Sequence, residues 1–140
     1  MRFDGIYSRA IPKFIDHALH GMPITVFGDG SQTRSFTYLT DQIEGLLKLA
    51  ASDRATGCVV NIGNDEETTV LEMAKMVLKL TDSISGIEYS PLPQDDPLRR
   101  KPVIDRARDI LGWEPKVALE AGLARTIEWY RAASFMKPVD

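Results

Sequence analysis

The sequence has little cysteine and no long apolar run. Its one cysteine, Cys58, cannot form an internal disulfide, which fits a reducing compartment. Cys58 lies in the apolar run Cys58-Val59-Val60, and we expect it to be buried as a small apolar side chain. The apolar runs are too short to span a bilayer, and the first residues contain no apolar signal-peptide region. We therefore expect a cytoplasmic protein that does not enter a membrane.

The sequence also lacks an excess of positive charge and a cluster of metal-binding residues. The formal net charge is −3, whereas nucleic-acid binding requires a clustered positive face. The only two histidines, His17 and His20, lie on a predicted helix without a cluster of carboxylates or cysteines beside them. We predict neither nucleic acid as a partner nor a metal site.

Catalytic motifs are missing as well. The Gly28-Asp29-Gly30 turn lacks the third glycine of a dinucleotide fingerprint, and it is expected to precede a strand, whereas the fingerprint opens a helix. Neither a Tyr-x-x-x-Lys pair nor a Gly-x-Ser-x-Gly elbow is present. We therefore predict no catalytic residue and no cofactor-binding residue in this chain.

The residues that are present predict an α/β protein, or α+β when the chain is taken in isolation. Its 140 residues, 44% of them hydrophobic, suit one domain with a modest core. We expect a small sheet of short strands with about five helices around it. The expected strands are Ile24 to Phe27, Thr33 to Tyr38, Val59 to Ile62 and Ile87 to Ser90, the first two forming a β-hairpin about the Gly28-Gly30 turn.

Two of the expected helices carry clear local signals. Thr40 is a plausible N-cap, and the stripe after it is expected to be buried: Ile43, Leu46, Leu47 and Ala50. Thr69 and Glu72 match a capping box, and the helix that they open is expected to bury Val70, Met73, Ala74 and Val77. The remaining helices are expected from about Pro12 to Leu19, Ile104 to Leu111 and Leu119 to Ala132.

Three arginines stand at the edges of different elements: Arg9 before a helix, Arg34 after the glycine turn and Arg100 at the end of a proline-rich loop. A guanidinium presents a planar fork of donors that fits phosphate oxygens two at a time, so a diphosphate would suit the set. Each arginine taken alone also fits a solvated surface residue, and sequence spacing does not show whether the three converge.

The chain resembles the C-terminal, substrate-binding part of extended short-chain dehydrogenase/reductases of the NAD-dependent epimerase/dehydratase family. The resemblance is carried by Met1-Arg2-Phe3-Asp4-Gly5, Phe27-Gly28-Asp29-Gly30-Ser31-Gln32-Thr33-Arg34-Ser35-Phe36, Val60-Asn61-Ile62-Gly63, Pro93-Gln94-Asp95-Asp96-Pro97 and Leu111-Gly112-Trp113-Glu114-Pro115-Lys116. The pattern Gln94-Asp95-Asp96-Pro97 with Arg100 is most similar to UDP-glucuronate decarboxylases. Nucleotide-sugar 4-epimerases and dTDP-glucose 4,6-dehydratases are the alternatives within the family.

The resemblance implies a UDP-sugar as ligand and gives roles to six residues. Arg34 and Arg100 fall on the family's diphosphate-binding arginines, and Arg9 on an arginine that contacts the nucleotide sugar. The strand with Thr25 and Phe27 would lie against the uracil, and Asn61 matches a nucleotide-contacting asparagine.

The resemblance also implies that a Rossmann half, with its NAD site and catalytic groups, is missing. We therefore expect a fragment of a larger NAD-dependent enzyme, inactive by itself, with a substrate-binding domain over residues 1–135 and a tail at 136–140. Apolar surface that such a half would cover is expected to be exposed and to promote self-association. A non-catalytic protein-interaction domain, using the helix that contains Ile43 and Leu47, is the alternative of another class.

Overall fold

The computed structural model describes residues 10–94 and 96–134. These residues form five α-helices, five short β-strands and one 3-10 helix at Asp53–Ala55. The helices are α1 (Ala10–Leu19), α2 (Leu39–Ala50), α3 (Val70–Thr81), α4 (Asp105–Leu111) and α5 (Leu119–Ser134). The strands are β1 (Ile24–Phe27), β2 (Thr33–Arg34), β3 (Thr68–Thr69), β4 (Ile87–Ser90) and β5 (Arg99–Arg100).

The chain divides into two compact units. Of the described residues, the first unit contains 10–32, 69–94, 96 and 123–134, and the second contains 33–68 and 97–122. Each unit is thus assembled from segments that are distant in sequence. The mixture of five helices with small sheets in the described residues confirms the predicted fold class, and these residues form no extended parallel sheet of the Rossmann type.

The first unit is built on a two-stranded parallel sheet. β1 pairs with β4, from Ile24 opposite Ile87 to Phe27 opposite Ser90, and α1 and α3 pack on β1 and on each other. Apolar side chains from these elements and α5 form the core: Phe14, Ile15, Ala18, Ile24, Val26, Val70, Met73, Ala74, Val77, Leu123 and Ile127. The predicted inner face of α3 is confirmed.

The start of α3 explains why the predicted β-hairpin is wrong. The capping box is present, because Glu72 N donates to Thr69 Oγ1 at 3.1 Å and Thr69 N donates to Glu72 Oε2 at 2.9 Å. The N–H groups of Val70 and Leu71 donate to the carbonyls of Gln32 and Gly30. The glycine turn thus caps α3, and β1 takes β4 as its partner while β2 pairs in parallel with β5.

Gly30 is required at this turn for two reasons. Its φ is +76°, in the left-handed region that glycine tolerates. A Cβ at this position would also lie 2.8 Å from Leu71 Cβ and from Val26 Cγ1. The side chain of Gln32 closes the turn, since its Nε2 donates to Phe27 O at 2.9 Å.

The second unit contains a three-stranded sheet in the order β3-β2-β5 and a small apolar cluster. Ile104, Ala107 and Trp113 are buried in this cluster, and Val60 and Ile62 pack against it. The predicted strand over Val59 to Ile62 is wrong. In the described structure this segment has no strand partner, and it contributes its apolar side chains to the cluster instead.

Helix α2 buries a different face from the predicted one. Its buried residues are Asp41 and Gly45. Oδ2 of Asp41 accepts from Lys116 N and Val117 N at 2.9 and 2.8 Å, and Trp113 Nε1 donates to Asp41 O at 3.1 Å. These bonds hold the polar face of α2 inward. The predicted burial of the apolar stripe is therefore wrong, and Thr40 is not the N-cap, which is Tyr38.

Cys58 is exposed, so its predicted burial is also wrong. It follows the turn after the 3-10 helix and its Sγ lies 3.8 Å from Arg54 O. The predicted tail at 136–140 lies outside the described residues. No described helix combines the length and the apolar character that crossing a membrane requires.

Replacement of Gly45 by alanine should destabilise the second unit. The added methyl would lie 2.5 Å from Ile62 Cγ2 and 3.0 Å from Trp113 Cε2. Overpacking costs about 1–3 kcal/mol, which exceeds the gain of up to about 1 kcal/mol in helix propensity. We expect urea denaturation to show a free energy of unfolding lower by about 1 kcal/mol or more.

The matched control is Gly86→Ala, because a Cβ at Gly86 would meet nothing within 4 Å. Its free energy of unfolding should stay within about 0.5 kcal/mol of the original. Equal effects of the two substitutions would contradict the close packing of α2 on Trp113.

Candidate functional site

Two of the three arginines singled out in the sequence are direct neighbours in the second unit. Arg34 of β2 and Arg100 of β5 are register partners in a parallel pair of strands. Adjacent strands lie about 4.8 Å apart, and register partners point to the same face of the sheet. Two arginines that lie 66 positions apart in the chain (100 minus 34) are therefore neighbours on one face of the sheet.

Arg34 is held in place by backbone carbonyls. Its Nη1 donates to Thr33 O and to Pro97 O, both at 2.8 Å. Thr33 N in turn donates to Leu98 O at 2.9 Å. The proline-rich loop before β5 is thus attached to β2 at the position of the half-buried Arg34.

Arg100 is exposed, and in the described part of the chain its guanidinium has no hydrogen bond or ion pair. Like charges directly opposite each other in a sheet repel. An anion with several oxygens would offset this repulsion and match the donor fork of Arg100, while Arg34, whose Nη1 already donates to two carbonyls, would add a second positive charge. The arrangement is therefore suited to a phosphate or diphosphate group.

Glu67, which the sequence analysis did not single out, lies against the residues that precede the two arginines. Its carboxylate accepts from Thr33 Oγ1 at 2.7 Å and from Arg99 Nε at 2.8 and 3.0 Å, and also forms an ion pair with Arg99 Nη2. Lys101 Nζ lies 3.9 Å from Oε2. The hydrogen bonds from Arg99 and then Thr33 lower the pKa of Glu67 below its ordinary value. The signal in the sequence was the run of three cations at 99–101, for which a nearby carboxylate is a favourable partner.

Thr25 and Phe27 belong to the first unit. They alternate with the buried Ile24 and Val26, so their side chains share the outer face of β1, where Phe27 is 39% exposed. The carbonyl of Phe27 accepts from Gly30 N and from Gln32 Nε2. Contact of this strand with a uracil stays a prediction.

Asn61 and Arg9 are not brought to the arginine pair by the described contacts. Asn61 is exposed, and its Nδ2 donates to Val103 O at 3.0 Å, which ties two loops of the second unit together. Arg9 lies outside the described residues. The nucleotide-sugar roles of both residues stay predictions.

The glycine turn does not fit the diphosphate of NAD. A dinucleotide fingerprint leaves the first N–H groups of its helix for the pyrophosphate. Here the N–H groups of Val70 and Leu71 already donate to Gln32 O and Gly30 O. Within residues 10–94 and 96–134, no group of three or more His, Cys, Asp or Glu residues could hold a metal ion.

The second unit also contains an open depression of about 280 Å³, next to Asp65, Arg108 and Glu114. The charges here are paired with one another. Arg108 Nη1 lies 2.9 Å from Asp65 Oδ2, and Arg108 Nε lies 3.4 Å from Glu114 Oε2. The hydrogen bond from Arg108 lowers the pKa of Asp65. We assign no ligand to this depression.

The stripe on α2 that was expected to be buried is instead a surface, which we call the α2 apolar face. Of the predicted stripe, Ile43, Leu46 and Leu47 are between 46% and 66% exposed, and Ala50 is exposed as well. Leu39, which is 66% exposed, extends the face. A contiguous apolar patch of this kind is typical of an interaction surface. The helical periodicity was correctly recognised, but periodicity does not say whether this chain itself covers the stripe.

The chain is similar in sequence to proteins of a known family. Residues 2–63 match the NAD dependent epimerase/dehydratase family. UDP-glucuronic acid decarboxylase 1 of Danio rerio is 47% identical over 122 residues, which is 87% of this chain and 29% of the fish protein. The chain therefore spans about three tenths of the length of this curated relative.

Two solved structures resemble the fold. The epimerase Mth375 from Methanothermobacter thermautotrophicus gives a TM-score of 0.89 at 34% identity, over 93% of this chain and 39% of that one. A UDP-glucuronic acid 4-epimerase from Bacillus cereus, in complex with UDP-glucuronic acid and NAD, gives 0.83 at 28% identity, over 89% of this chain and 40% of that one. These comparisons confirm the resemblance noted in the sequence: the chain is similar to proteins of the NAD dependent epimerase/dehydratase family, and it spans less than half of the length of each relative named here.

Proposed function

We propose that this chain is the UDP-sugar-binding part of an NAD-dependent nucleotide-sugar enzyme, and that Arg34 and Arg100 bind the diphosphate. The observation that carries the proposal is the register pairing of these two arginines on adjacent strands. A diphosphate has oxygens enough for two guanidinium forks, and it offsets the repulsion between them.

The parent reaction that we favour is decarboxylation of UDP-glucuronate. The support is the identity of 47%, over 87% of this chain, to a UDP-glucuronic acid decarboxylase. A 4-epimerase or a dTDP-glucose 4,6-dehydratase is the alternative parent.

The proposal assigns binding, and no catalytic step, to the residues described here. The α3 amides at the glycine turn already have carbonyl partners, which disfavours this turn as an NAD site. We assign NAD and the catalytic groups to another part of the enzyme. Residues 1–135 would act as one substrate-binding domain with a tail at 136–140. Arg9, Thr25, Phe27 and Asn61 are proposed as further UDP-sugar contacts, and a cytoplasmic location is part of the same proposal.

Titration of the 140-residue chain with UDP tests the diphosphate site. We expect the amide signals of Arg34 and Arg100 to shift in ¹H–¹⁵N spectra. Arg34→Gln or Arg100→Gln should each weaken binding about tenfold, because each removes a charge-assisted hydrogen-bonding group. Phe27 should shift as well if β1 contacts the uracil.

Arg54→Gln is the matched control, because it removes the same charge from an exposed residue of the 3-10 helix. This variant should bind UDP within about twofold of the original. Absence of any shift up to about 5 mM UDP, or equal losses in all three variants, would contradict the proposed site.

The α2 apolar face favours a second role, that of an interaction surface. This chain covers less than half of the length of each of the relatives named above. We propose that the NAD-binding part of the enzyme packs against the α2 apolar face and covers its exposed side chains. A domain kept only for protein interaction would use the same face but would not respond to nucleotides.

Leu47→Glu tests whether the α2 apolar face causes self-association of the 140-residue chain. We expect the original chain to self-associate at high concentration, since apolar patches without a partner promote association. The substitution should raise the dissociation constant at least about tenfold, because burial of a leucine is worth about 1.5–3 kcal/mol. Sedimentation at two concentrations measures the effect.

Ile84→Glu is the control, because Ile84 is fully exposed and lies outside α2. Its association should match that of the original chain. A monomer at every concentration would contradict an adhesive face. The chain could also self-associate without binding UDP, and neither Arg34→Gln nor UDP could change that association. This result would favour an interaction domain over a UDP-sugar site.

A further inference from the structure

The two strands that present the arginines are unusually short. β2 and β5 contain two residues each, in a sheet of three strands, and strands this short contribute little stability by themselves. The direct juxtaposition of Arg34 and Arg100 adds a repulsion. The bonds from Arg34 and Thr33 to the loop before β5 help to hold this register while the site is empty, and a further side-chain contact would add to them.

Glu67 makes contacts that reach both strands at the same level. Thr33 and Arg99 are register partners, one residue before Arg34 and Arg100. Thr33 Oγ1 and Arg99 Nε both donate to the Glu67 carboxylate, at 2.7 and 2.8 Å. Because successive residues of a strand alternate between faces, this contact lies on the face opposite to the arginine pair.

We propose that Glu67 is a positioning residue, which clamps Thr33 of β2 to Arg99 of β5 so that Arg34 and Arg100 converge on the opposite face as a diphosphate site. The inference rests on the proposed function, in which those two arginines bind the diphosphate. Glu67 itself would not touch the ligand.

The burial of the cluster agrees with a clamp. The side chain of Glu67 is only 18% exposed, whereas those of Arg99 and Lys101 are 70% and 36% exposed. The carboxylate is thus the most enclosed group of this cluster, and the more exposed cations lie around it. With Arg99 held there, and Lys101 beside it, the run of three cations is divided between the two faces.

The direction of one effect separates positioning from simple electrostatics. Removal of a negative charge near an anion site strengthens anion binding if charge alone matters. If Glu67 positions the arginines, Glu67→Gln should instead weaken binding. We expect the dissociation constant of inorganic pyrophosphate, measured by titration calorimetry on the 140-residue chain, to rise about fivefold.

Glu66→Gln is the matched control, because it makes the same change one residue away. Glu66 is exposed, and its carboxylate has no ion pair in the described part of the chain. This variant should bind pyrophosphate as tightly as the original or slightly more tightly. Thr33→Val is the second variant, since it removes one clamp bond without any change of charge, and binding should weaken about twofold.

Side-chain ¹⁵Nε relaxation of Arg34 and Arg100 without ligand tests the clamp separately from the proposed function. We expect Glu67→Gln to increase the motion of both guanidinium groups, and Glu66→Gln to leave it unchanged. Unchanged motion, or equal or tighter pyrophosphate binding by Glu67→Gln, would overturn the role of Glu67. If the original chain does not bind pyrophosphate, the diphosphate site fails, and increased motion would then show a clamp that serves no such site.

Discussion

The parallel pairing of β2 with β5 is the constraint on which the candidate site depends. It joins Thr33–Arg34 to Arg99–Arg100, and it makes two arginines register partners on one face of the sheet, where like charges repel. Carbonyl contacts hold Arg34, and Glu67 gathers the residues on the other face. A multivalent anion would relieve this juxtaposition of like charges, which is the physical argument for the proposed diphosphate.

Local signals predicted the parts of the fold that local interactions form. The capping box at Thr69 and Glu72 and the inner face of α3 depend on residues within a few turns of one helix, and both are confirmed. The hairpin after β1 was wrong because the glycine turn has another use. Its carbonyls satisfy the first N–H groups of α3, some 40 residues further along the chain.

The candidate site was predictable in its residue types and not in its geometry. A fork of donors at Arg34 and at Arg100 suggested a diphosphate, but their pairing depends on a register between strands far apart in sequence. The role of Glu67 was not predictable for the same reason, since its partners Thr33 and Arg99 lie 34 and 32 residues away in the sequence. The resemblance to a family supplied roles for these residues, whereas only the structure could show a shared face.

Helix α2 shows how a polar residue can decide which face of an amphipathic helix turns inward. Asp41 is buried, where a carboxylate is costly unless its oxygens accept hydrogen bonds, and the amides of Lys116 and Val117 meet that need. Gly45, one turn later, admits Trp113. Rotation of α2 to bury its leucines would break these contacts and leave the carboxylate without its partners. The apolar face therefore stays outward for a physical reason, and a protein surface is the environment that suits it.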